Sequence, residues 1–154
     1  MEINKIDRKI LNILQRDGRI ANLKLAEEVA LSPTAVLARV QRLIRDGYIL
    51  GYDARLNPLL LGAGMMVFVE VLLDRTTPHV FEEFSAAVQT RPEIMECHMV
   101  AGGFDYLLKT RQADMEAYRK FAGEVLWRLP GVRETRTYAV MEEVKNSTHL
   151  HVYG

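Results

Sequence analysis

The chain lacks most of what would mark it as secreted, membrane-bound or catalytic. It has one cysteine, Cys97, in 154 residues. Neither an internal disulfide nor a cysteine zinc cluster can form from it. No apolar run approaches the roughly 20 residues that span a bilayer. The opening residues Met1-Glu2-Ile3-Asn4-Lys5 lack a basic-then-apolar signal pattern, so secretion is not expected. No nucleophile elbow, phosphate loop or metalloprotease motif is present, which argues against an enzyme and against a cofactor. Net charge is also lacking, with 20 basic and 20 acidic side chains. Taken whole, that balance argues against a nucleic-acid partner. What is present is globular: 49% hydrophobic and 26% charged residues, which excludes a disordered chain. The expected setting is reducing and cytoplasmic.

The charge balance changes meaning when counted by region. Asn57-Pro58 marks a turn, and the sequence changes character there. Residues 1–58 hold 10 Lys+Arg and 7 Asp+Glu, giving +3, and residues 59–154 hold 10 and 13, giving −3. Arg39, Arg42 and Arg45 concentrate the positive charge within seven positions. Two domains follow, 1–58 and 59–154, of which the first suits a polyanion.

The first domain reads as three helices. Ile3, Ile6, Ile10, Ile13 and Leu14 recur at helical spacing, and Gly18 stops that helix. Asn22 is placed to cap a second helix carrying Leu25, Ala26 and Val29. After a tight turn at Ala30-Leu31, Ser32 caps a third helix with Pro33 at its first position. That helix runs to about Arg45, buries Val36, Val40, Leu43 and Ile44, and ends at Asp46-Gly47. Tyr48 to Tyr52 reads as a short strand. Two helices joined by a tight turn, the second basic, form a helix-turn-helix signature. Thr34, Ala35, Ala38, Arg39 and Arg42 are assigned to the face that enters the major groove, and Asn22 and Ser32 are counted with them among the DNA-binding residues. Arg39 is the candidate for guanine or a phosphate. Arg42, Arg45 and Arg55 are assigned to phosphates, which position rather than specify. Few of these side chains read bases, so sequence preference should be tolerant and lean on DNA shape.

The second domain alternates strand and helix in the order βαββαβ. Val67, Val69, Val71 and Leu73 share one face of the first strand. Phe81, Phe84 and Val88 mark a helix. Strands at 94–100 and 104–110 flank a Gly102-Gly103 hairpin. Met115 to Leu129 is a second helix, and Val132 to Val144 a fourth strand. Arg91–Glu96 repeats weakly as Leu129–Glu134 at a spacing of 38. The fold class is therefore α+β, with a ferredoxin-like second domain. The far face of its first strand carries Met66, Phe68, Glu70 and Leu72. Such an apolar face calls for a partner, at least a second copy, unless residues 145–154 cover it. The histidines suggest no metal site. Cys97 and His98 point to opposite faces of a strand, and His149 and His151 have no third ligand near in sequence.

Longer motifs add a resemblance. Ile6–Ile20, Leu31–Thr34, Gly51–Pro58, Glu96–His98, Phe104–Arg111, Ala117–Lys120 and Met141–Lys145 together resemble the Lrp/AsnC (leucine-responsive, feast/famine) bacterial transcription regulators. The last four segments lie close to the leucine-responsive subgroup. The resemblance implies a winged helix-turn-helix joined by a linker strand to an effector domain. It implies double-stranded DNA as partner, and homodimers assembling to octamers or related species that bend or wrap it. It also implies a small, leucine-like amino acid bound between dimers near the hairpin. Gly102, Gly103, Phe104 and Asp105 then form the effector loop, with Asp105 facing the ammonium. Met115, Trp127, Tyr138 and Val140 form the pocket wall by position. Ala30 stands where the family commonly has a turn glycine, which predicts a turn without a left-handed residue. The competing reading is a ligand-independent architectural DNA binder of the same fold.

Overall fold

A computed structural model describes residues 2–153 and resolves the chain into two compact units. The first runs to Arg55 and takes in the C-terminal stretch from Lys145, and the second is Leu56–Val144. The tail thus lies with the N-terminal unit, not with the C-terminal domain in which sequence reading places it.

The first unit contains α1 (Lys5–Arg16), α2 (Asn22–Val29) and α3 (Pro33–Arg45). A capping box starts α1: the Asp7 amide donates to Asn4 Oδ1 at 2.9 Å, and the Asn4 amide donates to Asp7 Oδ2 at 3.1 Å. Ile10, Leu14, Leu25, Ala26, Val29, Val36 and Leu43 form the core between the three helices. Ile44, expected inside, is exposed: it lies about 100° round the helix from Leu43, beyond the apolar stripe. Ala30 ends α2 at φ 55°, ψ 44°. The turn therefore has its left-handed residue despite lacking glycine, and the amide of Leu31 closes it on Ala26 O at 3.0 Å. Gly47, at φ 81°, ends α3 as its lack of a side chain allows. Among the described residues of this unit there is no strand. The stretch 48–52 is anchored to α3 through Tyr48 and Ile49 amides donating to Leu43 O, and nothing beside it supplies a ladder.

The tail packs on α1. Gln15 acts as a surrogate backbone, donating to Leu150 O at 2.7 Å and accepting from Leu150 N at 2.8 Å, while Asn12 Nδ2 donates to Val152 O at 3.0 Å.

The second unit contains β1 (Met65–Leu73), α4 (Val80–Gln89), β2 (Ile94–Met99), β3 (Tyr106–Gln112), α5 (Met115–Glu124), a short 3-10 turn (Leu126–Arg128) and β4 (Val132–Ala139). The sheet order is β2-β3-β1-β4, with every neighbouring pair antiparallel. This is the ferredoxin-like arrangement the element order implied. Val67, Val69, Val71 and Leu73 pack against Phe84, Val88, Tyr118 and Phe121, so both helices cover one face. The long second helix is interrupted at Val125 and closes as a tighter turn ahead of Leu129-Pro130, where proline disfavours a continuing α-helix. Strand β4 stops at Ala139, five residues short of expectation. Beyond it, Val140 N donates to Met66 O, one step further along the β1 register, and Arg111 forms a two-point ion pair with Glu143. Met66 is buried on this side, while Phe68, Glu70 and Leu72 keep partial exposure.

Candidate DNA interface and effector surface

Helix α3 is built to present a surface. Ser32 Oγ accepts the Ala35 amide at 3.1 Å, and Pro33 preorganises the first turn. Val36 and Leu43 anchor it inward. The outward stripe then follows from the 3.6-residue period: Thr34, Ala38, Gln41 and Arg45, with Leu37 beside it, are all exposed. Gln41 was missed by sequence reasoning, although its spacing of seven from Thr34 places it on the same face.

Arg39 and Arg42 are held elsewhere. Arg39 Nη1 donates to Asp7 Oδ1 at 3.0 Å and to Asn4 Oδ1 at 3.2 Å, and Arg42 Nη2 donates to Asp7 Oδ2 at 2.8 Å. Asp7 is 1% exposed. Burial alone would raise its carboxyl pKa, but the Asn4 amide and the two guanidiniums outweigh that and hold it below the ordinary aspartate range. The arginine face expected on the groove side is thus partly an internal ion-pair cluster. Asn22 also departs from expectation. Ala21 is the cap residue of α2, and the Asn22 amide side chain instead donates to Pro33 O at 2.9 Å, tying α2 to the start of α3.

The effector candidates fall into two groups on opposite faces of the second unit. On the open sheet face, Gly103 and Phe104 line a hollow of about 260 Å³ with Glu70, Leu72, Glu134 and Arg136. Tyr138 lies on the same face and donates from its hydroxyl to Glu70 Oε2 at 3.0 Å. Val140 continues from that strand. Met115 and Trp127 line a separate groove on the helical side with Tyr118 and Arg119. Trp127 Nε1 donates to Thr135 Oγ1 at 3.2 Å.

Gly102 and Gly103 adopt no left-handed φ, and a Cβ on either would meet open space. Asp105, expected to face an ammonium, is buried and already satisfied. It accepts the Leu73 amide at 2.9 Å and pairs with the Arg75 guanidinium. Burial works to raise its pKa, and those two partners win and lower it. Asp105 therefore shapes the hairpin in this structure.

Among the described residues no His/Cys/Asp/Glu cluster could hold a metal, and no helix is long and apolar enough to cross a membrane.

Comparison with known proteins matches both units. Residues 3–49 match the family model of the winged helix-turn-helix DNA-binding domain, and residues 66–150 that of the Lrp/AsnC ligand binding domain. The leucine-responsive regulatory protein of Salmonella typhimurium (strain LT2) is 61% identical over 149 residues, covering 97% of this chain and 91% of that protein. A solved transcriptional regulator from Neisseria meningitidis, in complex with L-methionine, aligns with TM-score 0.93 at 35% identity over 97% of both chains. An AsnC family transcriptional regulator from Agrobacterium tumefaciens aligns with TM-score 0.91 at 32% identity, again over 97% of both chains. Fold and surfaces together define a class: a regulator with a helix-turn-helix head for DNA and a separate ligand-binding domain. The chain belongs to the Lrp/AsnC family, and it is a DNA-binding transcriptional regulator, not an enzyme.

Proposed function

We propose that this protein regulates transcription in response to a small, leucine-like amino acid bound between dimers. Assembled dimers, up to an octamer or a related species, would bend or wrap double-stranded DNA in the cytoplasm. One observation carries the effector reading. The hollow beside Gly103 and Phe104 offers an amphoteric lining, with Arg136 opposite in charge to Glu70 and Glu134, and Leu72 and Phe104 beside them. A zwitterion needs a cation for its carboxylate, an anion for its ammonium and an apolar wall. The carboxylates of Glu70 and Glu134 line the hollow and reach solvent, although Glu134 also pairs with Arg136 at 3.6 Å and Glu70 with Tyr138, so they fit the ammonium better than Asp105, which is buried behind its arginine. Met115 and Trp127 lie on the opposite face of the same domain, so a ligand touching both groups must sit between subunits.

On the DNA side, the assignment is Thr34, Ala38 and Gln41 toward base edges, with Arg45 and Arg55 toward phosphates. Ala35 flanks this face, and Ser32 secures the helix start. With few base-reading groups, sequence tolerance and DNA shape carry much of the recognition. The +3 charge of the head region is modest, so several heads on one assembly supply the affinity.

The test is a thermal-shift screen of the twenty amino acids on the full protein, followed by operator affinity with each hit. Leucine or methionine should raise the melting temperature, since a ligand at about 100 times its Kd adds about 2.7 kcal/mol to the native state. No shift and no change in DNA affinity with any amino acid would leave the architectural reading standing instead.

A further inference from the structure

We propose that Asp7 is the positioning residue of the DNA-reading helix, tying α3 to α1 through Arg39 and Arg42 and so withholding both guanidiniums from the phosphates. The proposal rests on α3 being the element that meets DNA.

The geometry is specific. Arg39 and Arg42 are three apart on α3, hence neighbours on its surface, and each takes a different oxygen of one carboxylate. That carboxylate cannot swing away. The Asn4 amide donates to it, in a capping box whose other half is the Asp7 amide donating to Asn4 Oδ1, at the positive end of the α1 dipole. Side-chain exposure is 25% for Arg39 and 30% for Arg42, against 73% for Arg45. The Nε of Arg42 is buried as well, so that edge of the guanidinium is closed to an incoming phosphate.

Energetics favour keeping the tie when DNA binds. A phosphate that captured Arg39 or Arg42 would strip one of the two cations from buried Asp7 and leave one carboxylate oxygen without its guanidinium, which is costly for a buried charge. The phosphate would replace one anion with another and gain little. The two arginines therefore act on DNA through the angle and register of α3. Thr34, Ala38, Gln41 and Arg45 then make the contacts. The Arg39–Arg45 run looks like a basic stripe, but two of its three charges are spent inside the head.

The salt dependence of DNA binding separates this from a direct role. Each phosphate contact contributes about 0.9 to the slope of log affinity against log salt. Fluorescence anisotropy on a random-sequence duplex, across a salt series, reads that slope for the full-length protein. Arg39→Gln and Arg42→Gln should each weaken operator binding yet leave the random-duplex slope unchanged. Asp7→Asn should steepen it by about one to two per engaged head, as freed guanidiniums reach phosphates, and should narrow the gap between operator and random DNA.

A fall in slope of about one per head in either arginine variant would show direct phosphate contact and overturn the proposal. So would an unchanged slope in an Asp7→Asn protein whose circular dichroism is native. If that variant does not fold, the arginine variants decide alone. A wild-type protein with no salt-dependent DNA affinity would instead sink the assignment of α3 itself.

Discussion

Each of the two units buries one aspartate against arginine, and the two differ in what the arginine can still do. Asp7 holds two guanidiniums that are themselves mostly covered, at the crossing of α1 and α3. Asp105 holds the guanidinium of Arg75, which is 72% exposed and stacks at 5.7 Å from the Phe81 ring. The first arrangement is a fastener. The second is a latch at the root of a hairpin, with its outer half in water. The backbones contrast in the opposite sense. The head holds an alanine in a left-handed turn, whereas the hairpin holds two glycines in conformations any residue can adopt. Each unit also holds a left-handed non-glycine residue, Ala30 in the head and His79 at φ 58° in the second unit, so the contrast lies in how the arginines are covered and in the open space beside the effector hollow. A reading head must keep one geometry, and a ligand surface must leave room.

The largest effect should come from removing the fastener. Asp7→Ala takes the carboxylate from two partly buried cations and removes the side-chain half of the capping box, costing about 3 kcal/mol in urea unfolding, the low end for a broken buried pair because water reaches the arginines. Asp105→Ala orphans the Leu73 amide and releases an exposed arginine, costing about 1–2 kcal/mol. Equal losses would erase the distinction drawn between the sites. The acid limb follows from the pKa directions. Both carboxyls lie below the ordinary aspartate value of 3.8 in the folded state. Their stabilisation is therefore complete above that value and is lost as pH falls through the lower folded value. Asp7→Asn should flatten the loss of stability below about pH 4. An acid limb identical to that of the wild type would mean the carboxyl is not held low.

The element order, both apolar faces and the caps at Ser32 and Gly47 were legible because they rest on local period and local chemistry. The arginine cluster was not. Arg39 and Arg42 lie near the flank of the stripe set by Val36 and Leu43, and which neighbour they meet depends on how α1 crosses α3. Asp7 was read only as one charge in an apolar-periodic helix. Neither the capping box that Asn4 and Asp7 form nor the second use of the same carboxylate was read from the sequence. The partner of Asp105 was hidden for the same reason: Arg75 lies 30 residues away, joined through the β1–β3 register. The split of the effector residues was half legible. Strand alternation puts Tyr138 with Glu70, but nothing in sequence says that Met115 and Trp127 face the other way. The strand expected at 48–52 had the residue types of a strand and no partner, and a strand without a ladder is only an extended segment.

A middle-sized effect tests the backbone half of the contrast. Ala30 sits at φ 55°, where an L-residue costs about 1–2 kcal/mol relative to the right-handed region. Ala30→Gly removes that cost but loosens the unfolded chain, so a net gain of about 1 kcal/mol is expected in the melting of the head. DNA affinity should stay within twofold, because Ala30 is off the reading stripe. A destabilised variant would mean that the methyl group makes contacts outweighing the strain.

The smallest stability effect belongs to the hairpin, and it is the most informative about function. Gly103 has no left-handed φ, and a Cβ there meets nothing within 4 Å. On folding grounds Gly103→Ala should be neutral or stabilise by about 0.5 kcal/mol through the unfolded chain. Yet Gly103 lines the hollow with Glu70 and Arg136, where an added methyl would occupy ligand space. The thermal shift produced by leucine or methionine should therefore shrink in Gly103→Ala while the unliganded melting temperature holds. A glycine dispensable for the fold but required for the ligand response marks a surface shaped for its ligand. If the variant keeps both, the effector does not approach the hairpin, and the comparison of a fastened head with an open sensing surface loses its second half.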